Sequence, residues 1–378
     1  MKVQIKDLTS LGFTQILGTA ITAFFWFFVS NNMEPNQYGE IIFYVGIAGF
    51  ASYFALIGTQ QTITIYVAKK MPIQAVFFSL SLIIGAVGSV IVFIIYQRID
   101  ASILVLAYVI STLAMGELLG KKNYSQFSII VFIQKIAAVV IGLTFFFMFG
   151  SDGIIYALIL SYSIFIIQII SGFRESKIDF SVLKNRWRFV INNYVMNISS
   201  GLNGQIDKLI IPPILGFAIL GNYGLALQAL NVLNIIPNIF FRYLLPQDAS
   251  GIKNKKIKIF SFMISIGIAF FGVAVLPIII DSFFPKYGEA VIAIQIMSLS
   301  TIPYAVNLQY TSEFLAREQS KYVLISYLLL IISLSIGMIV LGPMLGIKGV
   351  AISQLCSNII GTLFLIIMKI YENKKRSN

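Results

Sequence analysis

Long apolar runs, separated by short polar segments, follow one another along almost the whole chain. A helix needs about 20 apolar residues to cross a hydrocarbon core of about 30 Å, and runs of that length recur here. We therefore predict an all-α polytopic membrane protein with about 12 transmembrane helices. The predicted helices cover residues 8–29, 41–66, 73–96, 101–119, 125–149, 153–172, 189–213, 222–245, 257–280, 290–314, 322–341 and 349–371.

The composition agrees with this pattern and excludes several kinds of chemistry. Hydrophobic residues make up 58% of the chain and charged residues 11%, whereas soluble domains carry about 25% charged residues. The first apolar run is too long for a signal peptide and is predicted to be retained as a helix. A single cysteine, Cys356, and no histidine argue against an internal disulfide, a zinc site or a catalytic triad. We predict no catalytic residue, no metal, no cofactor and no enzymatic activity.

The net charge of +12 follows the predicted loops. If the N-terminus is cytoplasmic, the inner segments hold 21 lysines and arginines and the outer loops hold 3. The positive-inside rule predicts this asymmetry, so membrane orientation explains the basic excess better than nucleic-acid binding. We predict a multi-pass protein of the bacterial cytoplasmic membrane with both termini cytoplasmic, in contact with membrane lipids and not with nucleic acid.

Two pairs of short motifs indicate an internal repeat. Gln37-Tyr38-Gly39 and Asn222-Tyr223-Gly224 lie 185 residues apart, and Gly150-Ser-Asp-Gly153 and Gly346-Ile-Lys-Gly349 lie 196 residues apart. Each pair falls in a predicted outer loop at the matching place in its half. We predict two six-helix bundles around a central lumen, with residues 1–180 in the first and 181–378 in the second.

Polar residues follow one face of each of the seventh and eighth predicted helices. In the seventh, the spacing of the polar positions is 3 or 4 residues, which keeps them together on a helix; they are Asn193, Asn197, Ser200, Gly204 and Lys208, with Asp207 on the adjoining edge. In the eighth, the same spacing joins Gln228, Asn231, Asn238 and Arg242. Polar faces in lipid must meet each other or a hydrated cavity, so we predict that these residues line the lumen.

The charges predicted within spans are mainly cationic: Lys135, Lys208 and Arg242, against Asp207. A charge at a helix centre costs about 2.5–3.5 kcal/mol, and an anionic substrate would explain three cations. Several alternatives remain open. Asp207 and Lys208 could neutralise one another, Lys135 could reach the membrane surface, and Arg242 could be an interfacial anchor.

The remaining polar and helix-breaking residues also have more than one interpretation. Each asparagine could serve helix packing instead of substrate binding. Pro212 and Pro213, close to Asp207, favour a broken helix at a binding site. Glu117 and Glu313 lie near predicted cytoplasmic ends and are interpreted as interfacial residues.

The order of these motifs resembles the O-antigen and polysaccharide flippases (Wzx-type) of the multidrug/oligosaccharidyl-lipid/polysaccharide exporter superfamily. The matching segments cover almost the whole chain: Pro35-Asn-Gln-Tyr38-Gly39, Gln205-Ile-Asp207-Lys208, Leu215-Gly216, Leu220-Gly221-Asn-Tyr223-Gly224, Leu245-Pro246, Phe284-Pro-Lys-Tyr287 and Leu345-Gly346-Ile-Lys-Gly349-Val-Ala.

The resemblance implies alternating access and export of an undecaprenyl-diphosphate-linked oligosaccharide, the repeat unit of an O-antigen, capsule or exopolysaccharide, from the cytoplasmic to the outer leaflet. It also implies partnership with a polysaccharide polymerase and a chain-length regulator. Lys208, Lys135 and Arg242 suit contact with the diphosphate, because cationic side chains form charge-assisted hydrogen bonds to phosphate oxygens.

Two alternatives stay open. An ion-coupled drug or metabolite exporter of the same superfamily would need an acidic residue deep in a span, for which Asp207 is the candidate. A polysaccharide polymerase would need a long outer loop with polar catalytic residues, and the predicted outer loops are short. The sequence contains no G-x-x-x-x-G-K-[ST] phosphate-binding loop, which argues against a nucleotide-driven pump.

Overall fold

The computed structural model describes the backbone of residues 2–180, 186–251 and 254–377. Lys184 and Lys253, two of the 21 basic residues assigned to inner segments, lie outside the described residues, as do the side chains of Ser200 and Pro246. The predicted boundary at 180/181 lies at the edge of the described range 2–180. The helices are α1 Lys2–Asn31, α2 Pro35–Ala55, α3 Gln60–Ala68, α4 Gln74–Tyr96, α5 Ile99–Gly120, α6 Tyr124–Phe149, α7 Gly153–Tyr162, α8 Ile166–Glu175, α9 Trp187–Leu215, α10 Phe217–Leu233, α11 Ile235–Ala249, α12 Lys255–Ala274, α13 Leu276–Phe283, α14 Gly288–Ser298, α15 Thr301–Ala316, α16 Ser320–Leu345 and α17 Ile347–Ser377. No strand occurs within these described ranges.

Length and hydropathy identify seven membrane-spanning segments among the described helices, or nine if each of two bent pairs forms one span. The bent pairs are α10 with α11, at 44°, and α14 with α15, at 42°. One of the seven segments, Tyr124–Glu175, is 52 residues long. At 1.5 Å per residue this is more than twice the length that crosses a bilayer of about 30 Å. The protein is thus an all-helical, multi-pass membrane protein, and the number of twelve spans stays a prediction.

Contacts divide the chain into two compact units. Unit 1 comprises Met1–Phe25 and Tyr44–Gln205, and unit 2 comprises Trp26–Phe43 and Ile206–Asn378. This division follows packing and cuts α1, α2 and α9, whereas the predicted bundles 1–180 and 181–378 follow the order of helices along the chain. The prediction of two six-helix bundles therefore remains a prediction.

Unit 1 is organised around α5. Its core joins the side chains of α3, α4, α5 and α8, with Ile63, Phe77, Phe78 and Leu113 fully buried. The glycines of α5 let α3 approach closely, and Thr64 Oγ1 donates a 3.0 Å hydrogen bond to the Gly116 carbonyl. Small residues and hydroxyl groups hold helices together in lipid, where apolar side chains gain little from leaving the hydrocarbon.

Unit 2 contains the long hairpin of α16 and α17, which packs against α14 and α15. Hydroxyl groups again join the helices: Ser326 Oγ donates 2.9 Å to the Gly361 carbonyl, and Thr362 Oγ1 donates 2.9 Å to the Pro303 carbonyl. The start of α2 also belongs to this unit and crosses α10 at two glycines. A Cβ on Gly39 or Gly221 would collide with the backbone of the other helix.

The two units repeat one stretch of backbone 196 residues apart. Helices α6 and α16 both contain 26 residues. A residue with positive φ precedes each helix, Lys122 at 58° and Glu318 at 59°. Each helix ends at a glycine with positive φ, Gly150 at 66° and Gly346 at 59°. The agreement in length and conformation supports the internal repeat predicted from these two glycine motifs.

The other pair of repeat motifs lies in helices and not in the predicted outer loops. Gln37-Tyr38-Gly39 belongs to the first turns of α2, and Asn222-Tyr223-Gly224 belongs to α10. Both helices were predicted to begin too late. Helix α2 begins at Pro35 and not at residue 41, and α10 begins at Phe217 and not at residue 222. Proline is favoured in the first helical turn, where its missing N–H has no intrahelical acceptor, so Pro35 begins α2 and does not end the loop.

The predicted helix break near Asp207 is wrong. Helix α9 continues from Trp187 through Asp207 to Leu215 with Pro212 and Pro213 inside it. A proline removes the hydrogen bond to the carbonyl four residues earlier. Because both prolines lie in the last turn, the helix ends soon after them, at Gly216, whose φ is 86°.

Candidate functional site

Asp207 is the most enclosed of the predicted site residues. Only 5% of its surface is exposed, and Tyr223, which is fully buried, donates a 3.0 Å hydrogen bond from its hydroxyl to Asp207 Oδ2. The other carboxylate oxygen, Oδ1, accepts a 2.8 Å hydrogen bond from the backbone N–H of Lys208. The tyrosine is 16 residues further along the chain, on α10, so this bond joins α9 to α10 within unit 2.

Lys208 also reaches the same carboxylate with its side chain. Its Nζ lies 3.8 Å from Asp207 Oδ1, and its side chain is 18% exposed. Adjacent residues point about 100° apart on a helix, but the four-carbon lysine stem is long enough to turn back. Among the two interpretations considered from the sequence, the geometry therefore favours partial neutralisation of Lys208 by Asp207.

Lys135 lies in unit 1 and turns towards α1. Its Nζ donates a 3.0 Å hydrogen bond to Thr22 Oγ1, and its stem passes over Gly18, where no side chain is in the way. The Thr22 hydroxyl in turn donates 2.8 Å to the Gly18 carbonyl. In the part of the chain that the structure describes, Lys135 has no carboxylate within ion-pair distance. Its ammonium group is therefore not paired with an acid among these residues, which leaves it open to an anion.

Asn238, which was predicted to line the lumen, meets Tyr304 of α15 in unit 2. The Tyr304 hydroxyl donates 3.1 Å to Asn238 Oδ1, while Asn238 Nδ2 donates to the Asn234 carbonyl. Asn222, whose Oδ1 accepts a 3.1 Å hydrogen bond from the Ala290 N–H, has a similar role at the start of α14. These asparagines thus act at least in part as links between helices.

The other predicted residues make fewer contacts. Asn193 Nδ2 donates 2.9 Å to the Phe189 carbonyl of its own helix, and Asn197 Nδ2 is buried with no hydrogen-bond partner among the described residues. Within the same described ranges, the side chains of Gln228, Asn231 and Arg242 form no hydrogen bond or ion pair, and Asn231 and Arg242 are exposed.

The structure also contains polar groups that the sequence interpretation did not select. Glu117, interpreted as interfacial, is fully buried beside Lys121, and Glu313 belongs to a network with Lys258 and Lys369. A signal for the two glutamates was present, because they lie 196 residues apart, the same offset as the glycine motifs.

No group of three or more histidine, cysteine or acidic residues that could hold a metal ion occurs in the described part of the chain. The predicted site residues are instead amide, carboxylate and cationic groups, and each of the two units contains some of them. Such groups can bind and release a polar ligand by hydrogen bonds and charge without covalent chemistry.

The fold of the chain is similar to those of several solved structures. The chain is similar to an inward-facing multidrug resistance MATE family transporter of the MOP superfamily, with 16% identity over 96% of both chains and a TM-score of 0.67. It is similar to lipid II flippase MurJ in an inward closed conformation, with 14% identity over 96% of this chain and 87% of that chain and a TM-score of 0.69. A MOP superfamily transporter from Pyrococcus furiosus Vc1 has 13% identity over 99% and 96% of the two chains and a TM-score of 0.63.

Sequence comparison gives no further match: no protein-family model and no curated protein matches the chain. At these identities the structural likeness concerns the fold. The chain shares its fold with the MATE family transporter and with the lipid II flippase.

Proposed function

We propose that this protein is a membrane transporter that moves an undecaprenyl-diphosphate-linked oligosaccharide, such as an O-antigen, capsule or exopolysaccharide repeat unit, from the cytoplasmic to the outer leaflet. It does so by alternating access and makes or breaks no covalent bond in its substrate. Lys135, Lys208 and Arg242 are the proposed contacts for the diphosphate. The proposed coupling or polar lumen residues are Asp207, Asn193, Asn197, Gln228, Asn231 and Asn238.

One observation carries the choice of an anionic substrate. Lys135 is a cation in an apolar helix with a hydroxyl partner and no carboxylate partner among the described residues, whereas the acid Asp207 has both oxygens engaged. A diphosphate would supply Lys135 with a negatively charged partner. A cationic drug would instead need a carboxylate that is open to it.

The alternative is an ion-coupled exporter of a drug or another small molecule, and it has support of its own. MATE family transporters share the fold, with a TM-score of 0.67. For this alternative, Asp207 would have to release Tyr223 or Lys208 to bind a cation. A polysaccharide polymerase is the less favoured third candidate, since the three solved structures compared above are two transporters and a flippase.

Transport by the purified full-length protein in proteoliposomes tests the proposal. A fluorescent undecaprenyl-diphosphate oligosaccharide is placed in both leaflets, and a membrane-impermeant quencher measures the fraction that moves. We expect movement well above that in protein-free liposomes. A parallel series with a cationic dye separates the alternatives, because uptake of the dye without movement of the lipid would identify a drug exporter.

The remaining proposals concern the cell. We propose the bacterial cytoplasmic membrane as the location, with both termini cytoplasmic, and a polysaccharide polymerase and a chain-length regulator as partners. The predicted charge asymmetry between inner and outer loops supports the orientation. The partners follow from the proposed substrate, since an exported repeat unit has to be joined into a chain.

A further inference from the structure

A pocket of about 760 Å³ opens in unit 2, at the end that is predicted to be cytoplasmic. It lies among the end of α11, the first turns of α12, the end of α15 and α17. Six charged residues line it: Lys255, Lys258, Arg317 and Lys369, which are basic, and Asp248 and Glu313, which are acidic. None of them belongs to the transport residues proposed above.

Two of the four basic residues neutralise the two acids. Lys258 Nζ lies 2.9 Å from Asp248 Oδ1 and 2.8 Å from Glu313 Oε1, and Lys369 pairs with the second oxygen of Glu313. Ser312 Oγ adds a 2.7 Å hydrogen bond to Asp248 Oδ2. This network fixes the walls of the pocket.

The other two basic residues supply a net positive charge. Lys255 and Arg317 are exposed, and neither forms an ion pair within the residues that the structure describes. With the paired charges cancelled, the lining carries two positive charges. Such a pair of cations matches a group with two negative charges, and the planar guanidinium of arginine is suited to phosphate oxygens.

The first turn of α12 adds hydrogen-bond donors to the same pocket. The helix starts at Lys255. Its first intrahelical hydrogen bond is the one that the Lys258 N–H donates to the Asn254 carbonyl, at 3.0 Å. The N–H groups before it therefore have no acceptor in the helix, and they form the positive end of the helix dipole. Asn254 gives no side-chain cap, and its buried Nδ2 has no hydrogen-bond partner among the described residues.

The corresponding place in unit 1 is closed. Glu117 lies 196 residues before Glu313 and is fully buried. A Cβ on Gly172 would touch both Phe78 and the Glu117 carboxylate, and Phe78 packs edge-on against Phe173. Aromatic rings and Lys121 therefore surround the glutamate in unit 1, where unit 2 has an open pocket. The pocket is a feature of unit 2 and not a general result of the repeat.

We propose that this pocket binds a phosphate group with two negative charges, carried by a lipid headgroup or by a free phosphate compound. Lys255, Arg317 and the donors at the start of α12 hold the phosphate oxygens, while the Lys258 network keeps the walls in place. The site is separate from the transport residues and does not depend on the identity of the transported molecule.

The test uses the purified full-length protein and two variants with the same change in charge. The double variant Lys255→Gln/Arg317→Gln removes the two unpaired cations of the pocket. The control Lys256→Gln/Lys321→Gln removes two exposed cations that are close in sequence but do not line it. Inorganic pyrophosphate, titrated calorimetrically into protein in neutral detergent, probes free phosphate. Nanodiscs of phosphatidylcholine with phosphatidic acid, whose monoester phosphate can carry two negative charges, are followed by native mass spectrometry and probe a lipid phosphate.

We expect wild-type protein and the control to bind one of the probes with similar affinity, and the pocket variant to bind it at least tenfold more weakly. Loss of pyrophosphate binding identifies a free phosphate compound, and loss of retained phosphatidic acid identifies a lipid. Equal binding by both variants, or no binding of either probe by wild-type protein, overturns the proposal. In wild-type protein the bound probe should also protect Lys255, but not Lys256, from an amine-acetylating reagent, a result that needs no variant.

Discussion

The hydroxyl of Tyr223 donates a 3.0 Å hydrogen bond to the carboxylate of Asp207, and both side chains are buried. This contact changes the interpretation of Asp207. A carboxylate with an O–H and an N–H donor on its two oxygens is a structural acceptor, because an additional cation would have to displace one of them.

Tyr223→Phe should destabilise the protein. The change removes the donor and leaves a buried charged acceptor with one partner fewer, which costs about 1–3 kcal/mol. We expect a lower midpoint of thermal unfolding in detergent. Tyr243→Phe is the matched control, since Tyr243 is 49% exposed, and its midpoint should equal that of wild-type protein. Equal midpoints for both variants would contradict the structural role of the contact.

Asp207→Asn should leave transport nearly unchanged once the amount of folded protein is matched. The amide oxygen can still accept from Tyr223, so the link between α9 and α10 persists while the charge is lost. In the proteoliposome assay we expect a rate per folded molecule close to that of wild-type protein, with and without an ion gradient. If a gradient drives the wild-type protein and not this variant, Asp207 carries the coupling ion and the exporter alternative gains support.

Lys135→Gln should slow movement of the lipid-diphosphate oligosaccharide. Loss of one hydrogen bond from a charged donor, worth about 1.5–3 kcal/mol, predicts a decrease of roughly tenfold or more. Lys135→Arg should restore most of the rate, because the charge remains. Lys348→Gln, which removes an exposed charge from a predicted outer loop, is the control and should transport normally. Normal transport by Lys135→Gln would remove the main support for an anionic substrate at this position.

Gly349→Ala should be strongly unfavourable, whereas Gly267→Ala should not. A Cβ on Gly349 would collide with the Leu341 carbonyl, but a Cβ on Gly267 meets no atom within 4 Å. Backbone collisions cannot be relieved by a rotamer change, and overpacking typically costs about 1–3 kcal/mol. At Gly267, inside α12, alanine should be neutral or stabilising by up to about 1 kcal/mol. Unfolding midpoints of the two variants check this, and a reversed order would count against the predicted close approach.

Cysteine labelling should reveal the orientation. In a Cys356→Ser background, which removes the exposed native thiol, Lys348→Cys should react with a membrane-impermeant maleimide in intact spheroplasts. Lys321→Cys should react only after lysis. Both positions are exposed, so accessibility of the membrane side decides the result. Labelling of Lys321→Cys in intact spheroplasts would invert the predicted topology.

Several properties of this protein could be predicted from the sequence. Apolar runs about as long as a bilayer is thick indicated the all-helical membrane fold, because a backbone in lipid must satisfy its hydrogen bonds within each helix. The glycine motifs at Gly150 and Gly346 marked the repeat, since a positive φ is a local requirement that glycine meets easily. The sequence alone did not determine the number of spans or the division into bundles.

Tertiary structure decided the partners of the polar residues. Tyr223 bonds to Asp207, Lys135 bonds to Thr22 from 113 residues away, and Glu313 meets Lys258 on another helix. Helix packing also leaves no open space beside Glu117, which is fully buried, whereas a pocket opens beside Glu313. The two glutamates nevertheless hold equivalent places in the repeat. Periodicity shows which face of a helix is polar. The partner of that face depends on contacts between residues distant in sequence, and only the packed helices determine those contacts.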